Sequence, residues 1–253
     1  MRVAVVTGAG QGIGRRTAEM LAARGYGVAM IDLRGSAETA AAIAGDCLDF
    51  AGDVSDEGTV AAFVQAVMAQ WGRVDVLVNN AGISFIAPAE TVSVADFRKV
   101  LEINLVAPFL LSKAFGTVML AQGVGAMVNV ASIAGLVGIG DRSAYNASKH
   151  GLIGLTRTLA AEWGGRGVRS NAVCPGWVKT EMDVADQAGG GYTDADIGNR
   201  VPMGRFAKPE EIAQAICFLA DPELSGFVNG QTLAVDGGWT ADGSWETLRM
   251  RKR

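Results

Sequence analysis

The stretch Val3-Ala4-Val5-Val6-Thr7-Gly8-Ala9-Gly10-Gln11-Gly12-Ile13-Gly14 decides the fold. Its opening residues are uniformly apolar, which predicts a strand over 3–6 buried on both faces. Glycines follow at once, and Ile13, Thr17, Met20 and Leu21 then recur at helical spacing, predicting a helix over 12–24. A strand that ends in glycines and feeds a helix turns unpaired N–H groups and the positive end of the helix dipole towards a pyrophosphate. Gly8, Gly12 and Gly14 are the glycines that matter. Their spacing departs from G-x-G-x-x-G, because the sixth position counted from Gly8 is Ile13.

Outward from this turn, short apolar runs at 28–31, 47–50, 74–78, 126–131, 168–173 and 232–235 alternate with helical patterns. The alternation predicts an α/β protein with a parallel sheet covered by helices on both faces. No linker-like segment interrupts it, so 1–253 reads as a single domain. Long helices are expected over 94–120 and from 143 to about 163. Between 181 and 208 the pattern weakens around Gly189-Gly190-Gly191, and this stretch reads as a mobile lid over a site.

Composition narrows the functional class. A chain that is 49% hydrophobic and 19% charged, with 34 glycines, is globular rather than disordered. A net charge of −4 lacks the concentrated positive field that nucleic acid or an anionic membrane needs, the basic ending Arg249-Met250-Arg251-Lys252-Arg253 being the local exception. No apolar run reads as a signal peptide or approaches the roughly 20 residues of a membrane span. Cys47, Cys174 and Cys217 are scattered without metal-ligand spacing, and read as free thiols in a reducing, cytoplasmic protein.

Two acidic residues bear on the nucleotide. Asp32 closes the second strand, where a carboxylate can accept from both hydroxyls of an adenosine ribose and would repel a 2′-phosphate. NAD is therefore expected over NADP, although Arg34 lies close to Asp32. A helix cap or a surface charge is the other reading of Asp32, and Asp53, after the third strand, is placed to meet the adenine amino group. Asn79-Asn80-Ala81-Gly82 ends the fourth strand, where structural stitching and cofactor contact are both open.

Chemistry is suggested by Ser143-Ala144-Tyr145-Asn146-Ala147-Ser148-Lys149, with Ser132 upstream. On a helix, Tyr145 and Lys149 share a face, where an ammonium would favour phenolate over phenol. A tyrosine so placed becomes an acid and base near neutral pH. His150, about 100° around the helix from Lys149, reads as structural.

Taken together, Thr7-Gly8-x-x-x-Gly12-Ile13-Gly14, Asn79-Asn80-Ala81-Gly82, Asn104, Ser132, Tyr145-x-x-x-Lys149 and Pro175-Gly176 resemble the short-chain dehydrogenase/reductase family over nearly the whole chain. The resemblance implies a single-domain Rossmann-type, doubly wound fold and a nicotinamide cofactor. It implies that Tyr145 exchanges a proton with the substrate oxygen and that Lys149 lowers the phenol pKa and holds the nicotinamide ribose. Ser132 would donate to the substrate oxygen and Asn104 would anchor a relay water. Cofactor contacts implied are Gly8, Gln11, Gly12, Ile13, Gly14, Asp32, Asp53, Val54, Asn80, Ala81, Gly82, Pro175 and Gly176, with Val178 and Thr180 against the nicotinamide amide; no metal is expected.

The substrate expected is a small secondary alcohol or its ketone, with sugars, polyols, hydroxy acids and cyclic alcohols open. Ser84, Phe85, Ile86, residues 134–140, Trp177 and the lid are the candidate walls. For Asp141 and Arg142, capping and solvating the helix start is preferred to substrate contact. A 3-oxoacyl carrier-protein reductase shares the scaffold, but Asp32 and the lack of a plain basic surface argue against it. A catalytically silent NAD(H)-binding sensor would not need Tyr145, Lys149, Ser132 and Asn104 together, and a methyltransferase gives no reason for the Tyr-Lys pair. The resemblance also implies a homotetramer, and residues 240–253 extend past the point where many relatives stop.

Overall fold

A computed structural model describes residues 1–188 and 192–245 of the chain. Seven strands, β1 (Val3–Thr7), β2 (Gly27–Asp32), β3 (Cys47–Ala51), β4 (Val76–Asn79), β5 (Gly125–Val130), β6 (Val168–Pro175) and β7 (Thr232–Val235), form one sheet in the order β3-β2-β1-β4-β5-β6-β7. All six pairings are parallel. The helices before the catalytic segment are α1 (Gly12–Ala23), α2 (Ala37–Ala42), α3 (Glu57–Trp71), α4 (Val94–Leu101) and α5 (Ala107–Gln122). After them come α6 (Ser143–Trp163), α7 (Glu181–Ala188), α8 (Asp194–Arg200), α9 (Pro209–Ala220) and α10 (Pro222–Ser225).

The apolar run of β1 feeds both faces because successive strand residues point to opposite sides. Ala4 and Val6 pack with Leu21 of α1 and with Ile212 and Ile216 of α9. Val3 and Val5 pack with Phe63 of α3 and Phe115 of α5, whose rings meet edge to face at 5.8 Å. This is the expected Rossmann-type architecture. The helices are delimited by local chemistry: Asp56 accepts the Thr59 N–H at the start of α3, and Gly72 and Gly123 end α3 and α5 in the left-handed region.

Three expectations are corrected. The strand expected over 74–78 begins at Val76, because the Gln122 side chain holds both backbone groups of Val74 and the Asp75 carboxylate holds Val3 N. The single helix expected over 94–120 is interrupted by a π-helical turn, Glu102–Val106, which inserts an extra residue between α4 and α5. Inside the lid expected over 181–208 stand α7 and α8, the latter fixed by a reciprocal cap between Thr193 and Asp196.

The run from Val94 to Gln122 spans 29 residues and is, by length and composition, apolar enough to cross a membrane, contrary to the sequence expectation. Its side chains Val100, Leu111, Phe115 and Met119 are buried inside the protein, most of them against the sheet.

Candidate active site

The order of strands reverses between β1 and β4, and at their carboxyl ends opens a cleft of about 590 Å³. At one end lies the glycine turn. Thr7 Oγ1 accepts the N–H groups of Asn80 (3.0 Å) and Ala81 (2.9 Å), tying the end of β1 to the end of β4. The Asn80 amide donates to the carbonyls of Thr7 and Gly8. Gly8 has φ +64°, and a Cβ there would stand 2.9 Å from Ala81 Cα. A Cβ on Gly14 would collide with the Gly8 carbonyl oxygen, so the strand-to-helix turn closes only around glycine.

Asp32, at the end of β2, accepts the N–H of Gly10 at 3.1 Å and of Arg34 at 3.3 Å and borders the cleft. Asp53 borders it too, its carboxylate held by the Ser55 N–H and hydroxyl. Gln11, Ile13, Val54, Gly82, Pro175, Gly176, Val178 and Thr180 complete the expected nucleotide wall. Gly14 is set behind it, where the space for a Cβ is filled by Gly8 and Asn80. Among the described residues, this cradle of close backbone approaches facing a carboxylate fits an adenine dinucleotide.

Tyr145 and Lys149 stand on α6 and Ser132 follows β5, so the sheet brings all three to the cleft floor. The Ser132 hydroxyl receives the Ala134 N–H at 3.1 Å and lies close enough to the phenol to influence its proton. Lys149 is buried and donates to the Val130 carbonyl at 2.8 Å. Its burial lowers the ammonium pKa to about 8. Burial raises the Tyr145 phenol above the ordinary value, while the Ser132 hydroxyl and then the Arg142 guanidinium pull it down. Desolvation is the largest influence on the phenol, and the lowering expected from Lys149 is not among the main ones.

Asn104 lies within the π turn, fully buried and off the cleft lining. Its amide pairs with both backbone groups of Ile83, at 2.8 and 2.9 Å, and donates to Ser148 Oγ at 3.3 Å. A Cβ on Gly82 would touch both Asn104 Oδ1 and Lys149 Nζ, so only this glycine separates the two groups. His150 is exposed and its Nδ1 meets the Asn146 carbonyl, clear of the cleft.

Arg142 overturns the expectation of a solvated helix start. Only 8% exposed, it makes no side-chain cap on α6 and faces the cleft instead. Its Nη1 donates to Ser84 Oγ at 2.9 Å and to Asp186 Oδ2 of α7 at 3.1 Å, and its guanidinium carbon lies 5.5 Å from the Trp177 ring and 6.0 Å from the Tyr145 ring. Asp183 and Tyr192, within the lid expected to wall the pocket but not singled out in it, line the cleft as well; the tyrosine hydroxyl donates to Asp183 and its ring leans on Trp177 at 4.8 Å. The three-residue spacing of Asp183 and Asp186 is a helical-face signal that could have found them. Of the expected substrate wall, Ala134, Ile139 and Trp177 line the cleft, Ser84 reaches it through Arg142, and Phe85 and Ile86 do not.

Residues 8–240 match the protein family described as enoyl-(acyl carrier protein) reductase. D-threitol dehydrogenase of Mycolicibacterium smegmatis is 44% identical over 244 residues, covering 94% of this chain and 93% of that protein. Cis-4-hydroxycyclohexanecarboxylate dehydrogenase of Sinomonas cyclohexanicum is 44% identical over 245 residues, covering 95% and 97%. A crystal structure assigned as an NAD(P)-dependent gluconate 5-dehydrogenase of Beutenbergia cavernae, with NADP bound at low occupancy, superposes with a TM-score of 0.89 at 45% identity, covering 95% of this chain and 97% of that one.

Proposed function

The chain belongs to the short-chain dehydrogenase/reductase family and is an oxidoreductase acting on CH–OH groups; on that premise we propose that it interconverts a secondary alcohol and its ketone with NAD, using Tyr145 as acid and base. The observation that carries this reading is the convergence of Tyr145, Ser132 and Lys149 on the floor of the cleft whose other end is the glycine turn and Asp32.

When bound, the nicotinamide accepts or supplies the hydride. The protein's own residues do the rest. Tyr145 Oη takes the proton of the substrate hydroxyl as the C–H bond is lost, or returns one to a carbonyl. Ser132 Oγ donates to the same oxygen and stabilises the charge that develops there. Lys149 Nζ, held at the Val130 carbonyl beside Gly82, is assigned to the ribose hydroxyls and to keeping the phenol's proton exchangeable. Asn104, one glycine away, is assigned to the relay between Lys149 and solvent. Pro175, Gly176, Val178 and Thr180 are assigned to the nicotinamide end, and the Asp32 carboxylate to the adenosine ribose, where it favours NAD over NADP.

D-Threitol and cis-4-hydroxycyclohexanecarboxylate, the substrates that the relatives' names carry, both bear a secondary hydroxyl. The test is NADH formation from NAD over a panel of polyols, hydroxy acids and cyclic alcohols. Turnover with at least one class is expected; no NADH from any alcohol, and none consumed with the matching ketones, would overturn the reading.

The proposal extends to organisation. Residues 1–253 act as one dinucleotide-binding catalytic domain with 181–208 as its substrate lid, and residues 246–253 of the C-terminal extension lie outside the described residues. Val94 and Phe109 leave apolar surface exposed on α4 and α5, which supports helix pairing in a homotetramer; light scattering giving a monomer would refute it. Free, buried Cys174 and Cys217 suit the reducing cytoplasm.

A further inference from the structure

The substrate end of the cleft carries its charges already paired. Asp186 is matched by Arg142, with side chains 16% and 9% exposed, and Asp183 is matched by Lys179 at 3.2 Å. Among the lining residues at this end, Arg142 stands beside two carboxylates, those of Asp183 and Asp186, and the other cation near Tyr145, Lys149, gives its hydrogen bond to the Val130 carbonyl. A substrate carboxylate would meet a guanidinium whose charge Asp186 already balances, and would stand close to the Asp183 and Asp186 carboxylates in a poorly solvated wall, an unfavourable position. A hydroxyl meets no such barrier. It donates to a carboxylate and accepts from an N–H, and Arg142 has five donors of which two are taken by Ser84 and Asp186.

Position adds to chemistry. Arg142 precedes Tyr145 by three residues at the head of α6, with its guanidinium carbon 6.0 Å from the phenol ring. Ser84 follows β4 and Asp186 belongs to α7, so three separate segments converge on one spot beside the reacting oxygen. Simple capping would not explain this: Arg142 is buried, and its partners lie 58 and 44 residues away. Apolar Ile139 and the Trp177 face close the same end, limiting it to a short chain or small ring.

We infer that Ser84, Arg142 and Asp186 form the specificity element of the site, holding a second hydroxyl of an uncharged polyol beside the hydroxyl oxidised at Tyr145. The inference rests on the proposed dehydrogenase reading and adds the substrate class: neutral polyols rather than hydroxy acids.

The test uses the full chain with NAD and three probes: a four-carbon polyol, the hydroxy acid of the same length, and cyclohexanol. Wild type should favour the polyol over the acid by tenfold or more in kcat/KM. Asp186→Asn, which keeps the shape and frees Arg142, should lower the polyol-to-cyclohexanol ratio at least tenfold, chiefly through the polyol KM, and raise the acid relative to the polyol. Ser84→Ala should lower the first ratio without helping the acid. A wild type that prefers the acid, or variants in which polyol and cyclohexanol fall together, would overturn the specificity element while leaving the dehydrogenase standing. No turnover of any probe by a wild type that also fails the wider alcohol panel would overturn both.

Discussion

Lys149 Nζ lies 5.6 Å from the Tyr145 ring centroid and gives its hydrogen bond to the Val130 carbonyl. The two groups share a helix face, yet the ammonium is spent on the sheet, not on the phenol. Its burial has a cost of its own.

That cost predicts a pH dependence of stability. Lys149 is held at about 8 against an ordinary 10.5, so between these values the unfolded chain binds more protons than the folded one. Folded stability therefore rises with pH across this window, and the penalty of the buried charge is fully present below it. At 1.36 kcal/mol per pH unit the interval amounts to about 3 kcal/mol. Lys149→Met should be more stable than wild type at pH 7, with the advantage shrinking towards pH 10.5 in denaturant melts of the cofactor-free protein. A constant advantage across that range would contradict the assignment.

Removing the phenol hydroxyl should separate binding from chemistry. Tyr145→Phe keeps the ring beside Lys149 but has no proton to exchange, and a positioned general acid–base contributes about 10²–10⁴-fold. NADH binding by fluorescence should persist while kcat falls by that factor. Equal turnover in the variant would remove Tyr145 from the mechanism.

The carboxylate at the end of β2 should set coenzyme choice. Asp32→Ala removes the like charge facing a 2′-phosphate, and the NAD-to-NADP ratio of kcat/KM should fall by about tenfold or more. Wild-type enzyme already favouring NADPH would refute the argument.

The glycine turn should tolerate no side chain at Gly14. A methyl there meets the Gly8 carbonyl oxygen and comes within 2.5 Å of Asn80 Nδ2, atoms fixed by the β1–β4 junction. Gly14→Ala should lose about 1–3 kcal/mol of stability and weaken NADH binding, measured by denaturation and by titration. Gly25→Ala is the control at a glycine with open space around its Cβ position but φ +81°, where only backbone strain operates and NADH affinity should hold.

Sequence patterns pointed to the residues that meet at the glycine-turn end of the cleft, and not to the contacts that Arg142 makes at the other end. The β1 turn, Asp32 and the Tyr145–Lys149 spacing are local, and local spacing survives folding unchanged. Arg142 was misread because its partners, Ser84 and Asp186, come from distant segments, and nothing adjacent to it in the chain foretells burial. The π turn at Glu102–Val106 escaped for a related reason: its apolar periodicity matches a plain helix, and the extra residue becomes visible only when Asn104 is found paired with Ile83. Helices α7 and α8 were hidden by short length and by polar residues that cap one another rather than a core.

The hydroxyl of Thr7 receives two N–H groups from residues 73 and 74 positions further along the chain. Until β1 and β4 are neighbours, the glycine turn lacks the wall that Asn80 and Ala81 set against it. Parallel pairing of this kind is slow, because distant segments must be gathered before any contact rewards them. Recovery of NADH binding during refolding should therefore lag behind the return of helical signal, and a slower rate in Thr7→Val, with the helical phase unaltered, would time the meeting of those two strands.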